Sequence, residues 1–231
     1  MQYFYYDNSF IIILPAMILA IYSRYLVENT YKKYAQVRSS RGYTGKQAAR
    51  IILDRFGLYH VLIEENQGRG HLSDHYDPRH KVIRLSSGVY NSASIAAVGI
   101  AAHECGHAIQ HEKKYFPLTL RNAIIPVTTV GSRLAVPILL VGFFFGAPLL
   151  IGLGIMAYAL MTIFQLITLP VEFNASRRAM AVIDDALLLE GEERDGAKKV
   201  LRAAAMTYIA ALVSSLAQLL RLVMISNRRR R

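Results

Sequence analysis

Long apolar stretches dominate the pattern of polar and hydrophobic positions along this chain. The first is the uncharged run 8–23, with aromatic residues at both edges, and it predicts a membrane span at about 8–25. The second is the segment 134–171, whose 38 consecutive uncharged residues are enough for two crossings. The sequence Phe145-Gly146-Ala147-Pro148 in this region is typical of a turn. We therefore predict a helical hairpin with spans at 123–145 and 148–169.

A more polar segment, residues 26–120, lies between the first span and the hairpin. Thr44 is a suitable N-cap for an amphipathic helix that stops at Gly57. The residues 61–63 and 81–85 predict short strands, with a turn at Asp77-Pro78-Arg79 before the second. A further helix is predicted from Asn91 or Ser92 to about Lys114. With the spans, this pattern predicts a mainly α chain: a polytopic membrane helical bundle, 1–231, with a small α+β portion.

Charge favours a membrane partner and gives the chain an orientation. The chain is 53% hydrophobic, and its net charge is +11. Because the basic residues flank apolar runs, anionic lipid is a simpler partner for them than nucleic acid. Seven lysines and arginines follow the first span between residues 24 and 50, whereas only Asp7 precedes it. The positive-inside rule then puts the amino terminus outside and the residues from about 24 onward in the cytoplasm of a multi-pass cell-membrane protein.

A last apolar stretch, residues 203–223, follows a hinge that contains Gly191 and Gly196. We interpret the stretch as a further span, because residues 203–220 carry no charge. The alternative is a helix packed against the bundle, which would keep the arginines 228–231 in the cytoplasm, as the charge rule prefers.

The candidate chemistry is concentrated in the pattern H-E-x-x-H formed by His103, Glu104 and His107. Residues four apart share a helix face, so both imidazoles can bind one metal ion. Glu104 lies one step round the helix, where a carboxylate can act as a base on a water activated by the metal. The flanking residues are apolar, and a zinc ion would satisfy these polar groups on a buried helix. The lone Cys105 excludes an internal disulfide; we interpret it as a small buried side chain rather than a nucleophile.

The hairpin supplies the candidate for a third metal ligand. Two crossings return the chain to the membrane face that it left, and Glu172 is the first carboxylate afterwards. Two histidines and a glutamate form a known catalytic zinc set. We therefore predict Glu172 as the third ligand, on a segment 170–200 that also includes the hinge. A solvated glutamate is the alternative interpretation, with Asp184 and Asp185 as fallback ligands. His71, His75 and His80 lack recognisable ligand spacing, and we favour surface or supporting roles for them over a second metal site.

Several motifs in one order resemble the membrane-bound neutral zinc metallopeptidases of the YugP type. They are DHYDPRHKVIRLS, SIAAVGIAAHECGHAIQH, LPVEFNASRRA and GAKKVLRAAAMTYIAAL, and the resemblance covers nearly the whole chain. More distantly, the chain is similar to membrane peptidases of the HtpX type. The resemblance implies a zincin-like cytoplasmic portion, one zinc ion held by His103, His107 and Glu172, and Glu104 as the catalytic base.

The same resemblance sets two further expectations for the site. Asn174 departs from the family, which is expected to carry aspartate there; with His111, it is a candidate for supporting a ligand histidine. The expected activity is hydrolysis of peptide or protein substrates. Independently of the resemblance, the position of the strand 82–85 just before the helix of the H-E-x-x-H motif suggests that an extended substrate pairs along it. The rival interpretations are a non-catalytic membrane protein with a structural zinc site and a scaffold without metal.

Overall fold

The computed structural model describes residues 8–66 and 73–229 and divides into two compact units. Among the described residues, one unit comprises 8–23, 120–169 and 207–229, and the other comprises 24–66, 73–119 and 170–206. Within the described residues, the helices are α1 (Ile13–Ala35, after a 3-10 turn at Asn8–Ile12), α2 (Gly45–Arg55), α3 (Ser87–Tyr90), α4 (Ile95–Glu112), α5 (Phe116–Phe144), α6 (Pro148–Asp185) and α7 (Gly191–Arg229). The strands are β1 (Leu62–Asn66), β2 (His75–Asp77) and β3 (Val82–Ser86). The fold is mainly α, as predicted.

Four helices of the described chain are long and apolar enough to cross a membrane: Ser9–Ala35, Phe116–Phe144, Pro148–Asp185 and Gly191–Asn227. The turn between the second and third lies where the sequence predicts it, because α5 ends at Phe144 and α6 begins at Pro148. Gly146 adopts a positive φ of 62° in this turn, a conformation that favours glycine. The hairpin is closely packed: a Cβ at Gly142 would lie 2.8 Å from the backbone nitrogen of Ile151.

The third of these helices is longer than the sequence pattern indicates. We expect a new segment at residue 170, but α6 continues through Pro170 to Asp185. Pro170 has no N–H for the carbonyl of Leu166, and apolar membrane helices tolerate such an interruption when neighbouring groups compensate. Glu172 therefore belongs to the same uninterrupted helix as the second arm of the hairpin.

The second unit is organised around the buried helix α4. Its core consists mainly of α2, α4, β3 and the end of α6, with Ile52, Leu85 and Ile183 fully buried. Two predicted helix starts can be compared here. Thr44 caps α2, as expected, and it also forms a capping box with Gln47, which was not predicted. Helix α4, however, begins at Ile95 behind the cap Ser94, because the separate helix α3 occupies the preceding turn.

The sheet has the strand order β1-β3-β2. β1 runs parallel to β3. β2 runs antiparallel to β3, and the sequence pattern does not predict it. The expectation that an extended substrate pairs along residues 82–85 is therefore wrong. β3 is the central strand, and its backbone groups are already used on both sides.

Candidate metal centre

Helix α4 presents His103 and His107 on one face, one turn apart. Their ring centroids are 4.8 Å apart, and the rings are nearly perpendicular, at 87°. The helix is buried along most of its length because alanine and glycine fill the positions around the histidines. Small residues allow neighbouring backbones to approach closely, so Glu104, His107 and Gln110 of α4 are buried inside the unit and His103 is partly buried.

Gly106 allows α6 to reach these histidines. A Cβ at position 106 would lie 2.6 Å from the carbonyl oxygen of Ala175, so no larger residue fits without moving one of the helices. Because the two backbones touch at this point, Glu172, one turn before Ala175, lies opposite the face that carries His103 and His107.

Three ligand atoms converge at this contact. The Oε2 atom of Glu172 lies 3.3 Å from Nε2 of His103 and 3.6 Å from Nε2 of His107. The three residues form a group whose ligand atoms all lie within 4.8 Å of one another. Two atoms bound to zinc at about 2.0–2.1 Å with tetrahedral geometry are about 3.3 Å apart, so the spacing fits that ion. The side chains are 14%, 11% and 4% exposed for His103, His107 and Glu172, which leaves the group mostly, but not fully, enclosed.

The second nitrogen of each ring has a side-chain partner. Nδ1 of His107 lies 3.0 Å from Oε1 of Gln110, whose Nε2 donates to the carbonyl of Val171 at 2.8 Å. This orientation leaves Gln110 only an oxygen for the ring, so Nδ1 carries the hydrogen and Nε2 keeps its lone pair for a metal. Nδ1 of His103 lies 3.2 Å from Oγ of Ser176. Both rings are therefore oriented as metal-binding histidines commonly are.

The two residues proposed to support the histidines occupy different environments. Asn174 does not bond to either ring; its Oδ1 accepts hydrogen bonds from Gln110 at 3.0 Å and from Arg178 at 2.7 Å. It contacts Gln110, which in turn contacts His107. Gln110 was not predicted from the sequence. His111 pairs through Nδ1 with the hydroxyl of Tyr76 at 2.9 Å. That contact links α4 to β2.

Glu104 is buried beside the histidines and accepts a hydrogen bond from the backbone of Tyr76 in β2. Burial raises its pKa to about 7, and the negative charges of Glu172 and Asp74 also raise it, whereas His103 lowers it. A carboxyl group with a pKa near neutrality can both accept and return a proton at physiological pH.

The remaining predicted candidates lie in other contacts. Asp184 and Asp185 pair with Arg194 and Arg55, respectively. His80 pairs with Asp77, and Nδ1 of His75 lies 2.9 Å from the carbonyl of Ser73; His71 lies outside the described residues. Cys105 is fully buried, and burial raises the pKa of its thiol. The thiol environment is that of a structural cysteine.

The chain is similar to a known protein family and to a curated protein. Residues 9–227 match the family described as "Putative neutral zinc metallopeptidase". The chain is 47% identical over 212 residues to "Putative membrane protease YugP" of Bacillus subtilis (strain 168). The matched segment covers 92% of this chain and 93% of that protein. No solved structure matches the chain. The chain belongs to the neutral zinc metallopeptidase family.

Proposed function

We propose that the protein is a membrane-bound zinc endopeptidase in which two histidines and a glutamate hold the metal. The observation that carries this proposal is the convergence of His103 Nε2, His107 Nε2 and Glu172 Oε2 at separations suited to one tetrahedral ion. The family match and the similarity to a protein named as a membrane protease support it.

The residues of the site have different roles in the proposed hydrolysis of peptides. Zinc, when bound, would supply a Lewis acid that polarises the scissile carbonyl and makes water more acidic. Glu104 takes the proton from the attacking water and delivers it to the departing amine. Gln110 and Ser176 hold the two imidazole rings in the orientation that points Nε2 at the metal.

A structural zinc site is the second candidate function. Structural sites are usually closed by four protein ligands, whereas catalytic sites keep a position open. Among the described histidine, cysteine and carboxylate side chains, only three form the group around this point. Three protein ligands, which would leave a fourth position open, favour a catalytic site over a structural one. The charge distribution along the sequence favours a cytoplasmic location for it, because the basic residues 24–50 follow the first span.

Zinc content and casein cleavage, measured together, test the proposal. Purified wild-type protein is expected to contain about one zinc ion per chain and to cleave casein. Glu172→Ala removes a ligand and should lose both. Glu104→Gln should keep its zinc, while cleavage falls by roughly 10²–10⁴-fold.

Asp185→Asn is the matched control. Like Glu172→Ala, it removes a carboxylate from α6, but Asp185 forms an ion pair with Arg55 and is not part of the candidate metal centre. It should retain both zinc and activity. Full cleavage by Glu104→Gln, or wild-type protein without stoichiometric zinc, would refute the proposed mechanism.

A further inference from the structure

A cavity of about 380 Å³ lies between α1 and α7 in the second unit, away from the candidate metal centre. Its volume falls within the range of roughly 300–1,000 Å³ that is usual for small-molecule sites. We call it the basic pocket, and it is lined by Leu26, Asn29, Thr30, Lys33, Tyr34, Lys199, Arg202, Ala203 and Met206. Each helix contributes residues that span about 10 Å of its axis, so the pocket is an elongated groove.

Three cations face this groove without a carboxylate partner. Among the described residues, no aspartate or glutamate lies within ion-pair distance of Lys33, Lys199 or Arg202, although several acidic groups occur on the same helices. Two of those acidic groups are paired elsewhere: Glu28 pairs with Arg24, and Asp195 with Arg194. The ammonium group of Lys33 lies 5.5 Å from the centre of the Tyr34 ring. The groove therefore carries uncompensated positive charge.

The position of these cations along both helices matches the edge of a membrane. On α1, the groove begins directly after the first apolar run; on α7, Arg202 is the last charged residue before the uncharged stretch 203–220. Apolar side chains, Leu26 and Met206, lie at the end of the groove nearest those stretches, and Lys33 and Lys199 lie at the other end. A ligand that fits has an anionic head and an apolar tail.

We infer that the basic pocket binds an anionic phospholipid, with its phosphate between Lys33, Lys199 and Arg202 and its glycerol and first acyl carbons against Leu26 and Met206. Juxtamembrane lysine and arginine clusters attract anionic headgroups strongly enough to select them from neutral lipids. The side chains of Asn29 and Thr30 provide further hydrogen-bonding groups for the phosphate or glycerol oxygens. This site is independent of the proposed peptidase activity.

Lipid retention by the full-length protein tests the inference. Protein in nanodiscs that contain equal amounts of phosphatidylglycerol and phosphatidylcholine is released into detergent, and the lipid that remains bound is counted by native mass spectrometry. Wild-type protein should retain phosphatidylglycerol in preference to phosphatidylcholine. Lys33→Gln combined with Lys199→Gln should lower the retained phosphatidylglycerol by at least about tenfold, because the phosphate then loses two charged partners inside the groove.

The control removes the same charge from neighbouring positions. Lys32→Gln combined with Lys198→Gln changes the residues that precede the pocket cations Lys33 and Lys199 in the sequence. Lys32 and Lys198 do not line the groove. Its retention should fall less than about twofold. A similar loss in both double variants would overturn the inference, because the effect would then be general attraction to the membrane surface.

A second arm distinguishes a lipid from a soluble anion. Inorganic phosphate in millimolar excess should not displace phosphatidylglycerol from wild-type protein, because it lacks the contacts with Leu26 and Met206. Complete displacement by phosphate, or equal retention of the two lipids, would refute a phospholipid site.

Discussion

Gly106 of α4 lies against the backbone of Ala175 of α6, so closely that a Cβ on Gly106 would be 2.6 Å from the Ala175 carbonyl oxygen. Both partners at this point are helix backbone, which cannot move aside as a flexible side chain can. The contact fixes how far Glu172 stands from His103 and His107, and therefore whether the three residues can share one ion.

Gly106→Ala is therefore expected to weaken metal binding, although the substitution adds only one methyl group. The helices must separate by several tenths of an ångström, which should cost about 1–3 kcal/mol of stability and at least about tenfold in zinc affinity. Competitive zinc titration and thermal unfolding measure the two effects. Gly152→Ala is the control, because a Cβ there meets nothing within 4 Å. Unchanged zinc affinity in Gly106→Ala would show that the helix contact does not set the ligand spacing.

Gln110 is predicted to position His107. Gln110→Leu removes the acceptor for His107 Nδ1 and the donor to the Val171 carbonyl, so zinc affinity should fall about 10–100-fold. Gln110→Glu keeps an acceptor for the ring but loses the donor to the Val171 carbonyl and to Asn174, so it should recover only part of that affinity. The readout is the zinc dissociation constant, compared with the unfolding temperature of the metal-free protein. If the metal-free protein is destabilised but zinc affinity is unchanged, Gln110 has only a packing role.

Cys105 is predicted to take no part in the chemistry. Its thiol is buried and points at the carbonyl of Ala49 in α2, 3.6 Å away. The folded protein should resist alkylation by iodoacetamide, and Cys105→Ala should cleave casein nearly normally at a cost of about 1 kcal/mol in stability. Mass spectrometry and the cleavage assay measure the two results. Loss of cleavage by Cys105→Ala with zinc still bound would instead point to a reacting thiol.

A hydrogen bond joins α6 and α7 within the first unit. Ser215 donates through Oγ to Oγ1 of Thr162 at 2.6 Å, and both side chains are buried. Ser215→Ala should cost about 0.6 kcal/mol, the average for such bonds between membrane helices. Unfolding in mixed micelles, with Thr162→Val and the double variant, gives the coupling energy. The neighbouring Ser214→Ala serves as the control, and a coupling energy of zero would contradict the prediction.

The features of this protein that were predicted correctly depend on residues that are close together in the sequence. The N-cap at Thr44, the hairpin turn before Pro148 and the shared face of His103 and His107 all follow from patterns that extend over a few residues. Glu172 could be nominated because a hairpin must return the chain, and the structure does bring its carboxylate to the histidines. Its role as a ligand remains a prediction.

Features that depend on tertiary packing were not predictable in this way. β2 has only three residues and is a strand because β3 lies beside it. The continuation of α6 through Pro170 contradicts the usual effect of proline, since local propensity was outweighed by the environment. Gln110 did leave a signal: it is a polar residue three positions after His107 on an otherwise apolar helix.

The separation of the ligands along the chain also has a consequence for biogenesis. His103 and Glu172 are 69 residues apart, and the whole apolar hairpin is synthesised between them. A ribosome-bound chain therefore exposes its two imidazoles well before the carboxylate exists, and it cannot assemble the proposed centre at that stage. Under the proposed mechanism, the nascent polypeptide is therefore inactive as a protease until Glu172 has been synthesised and has reached the histidines.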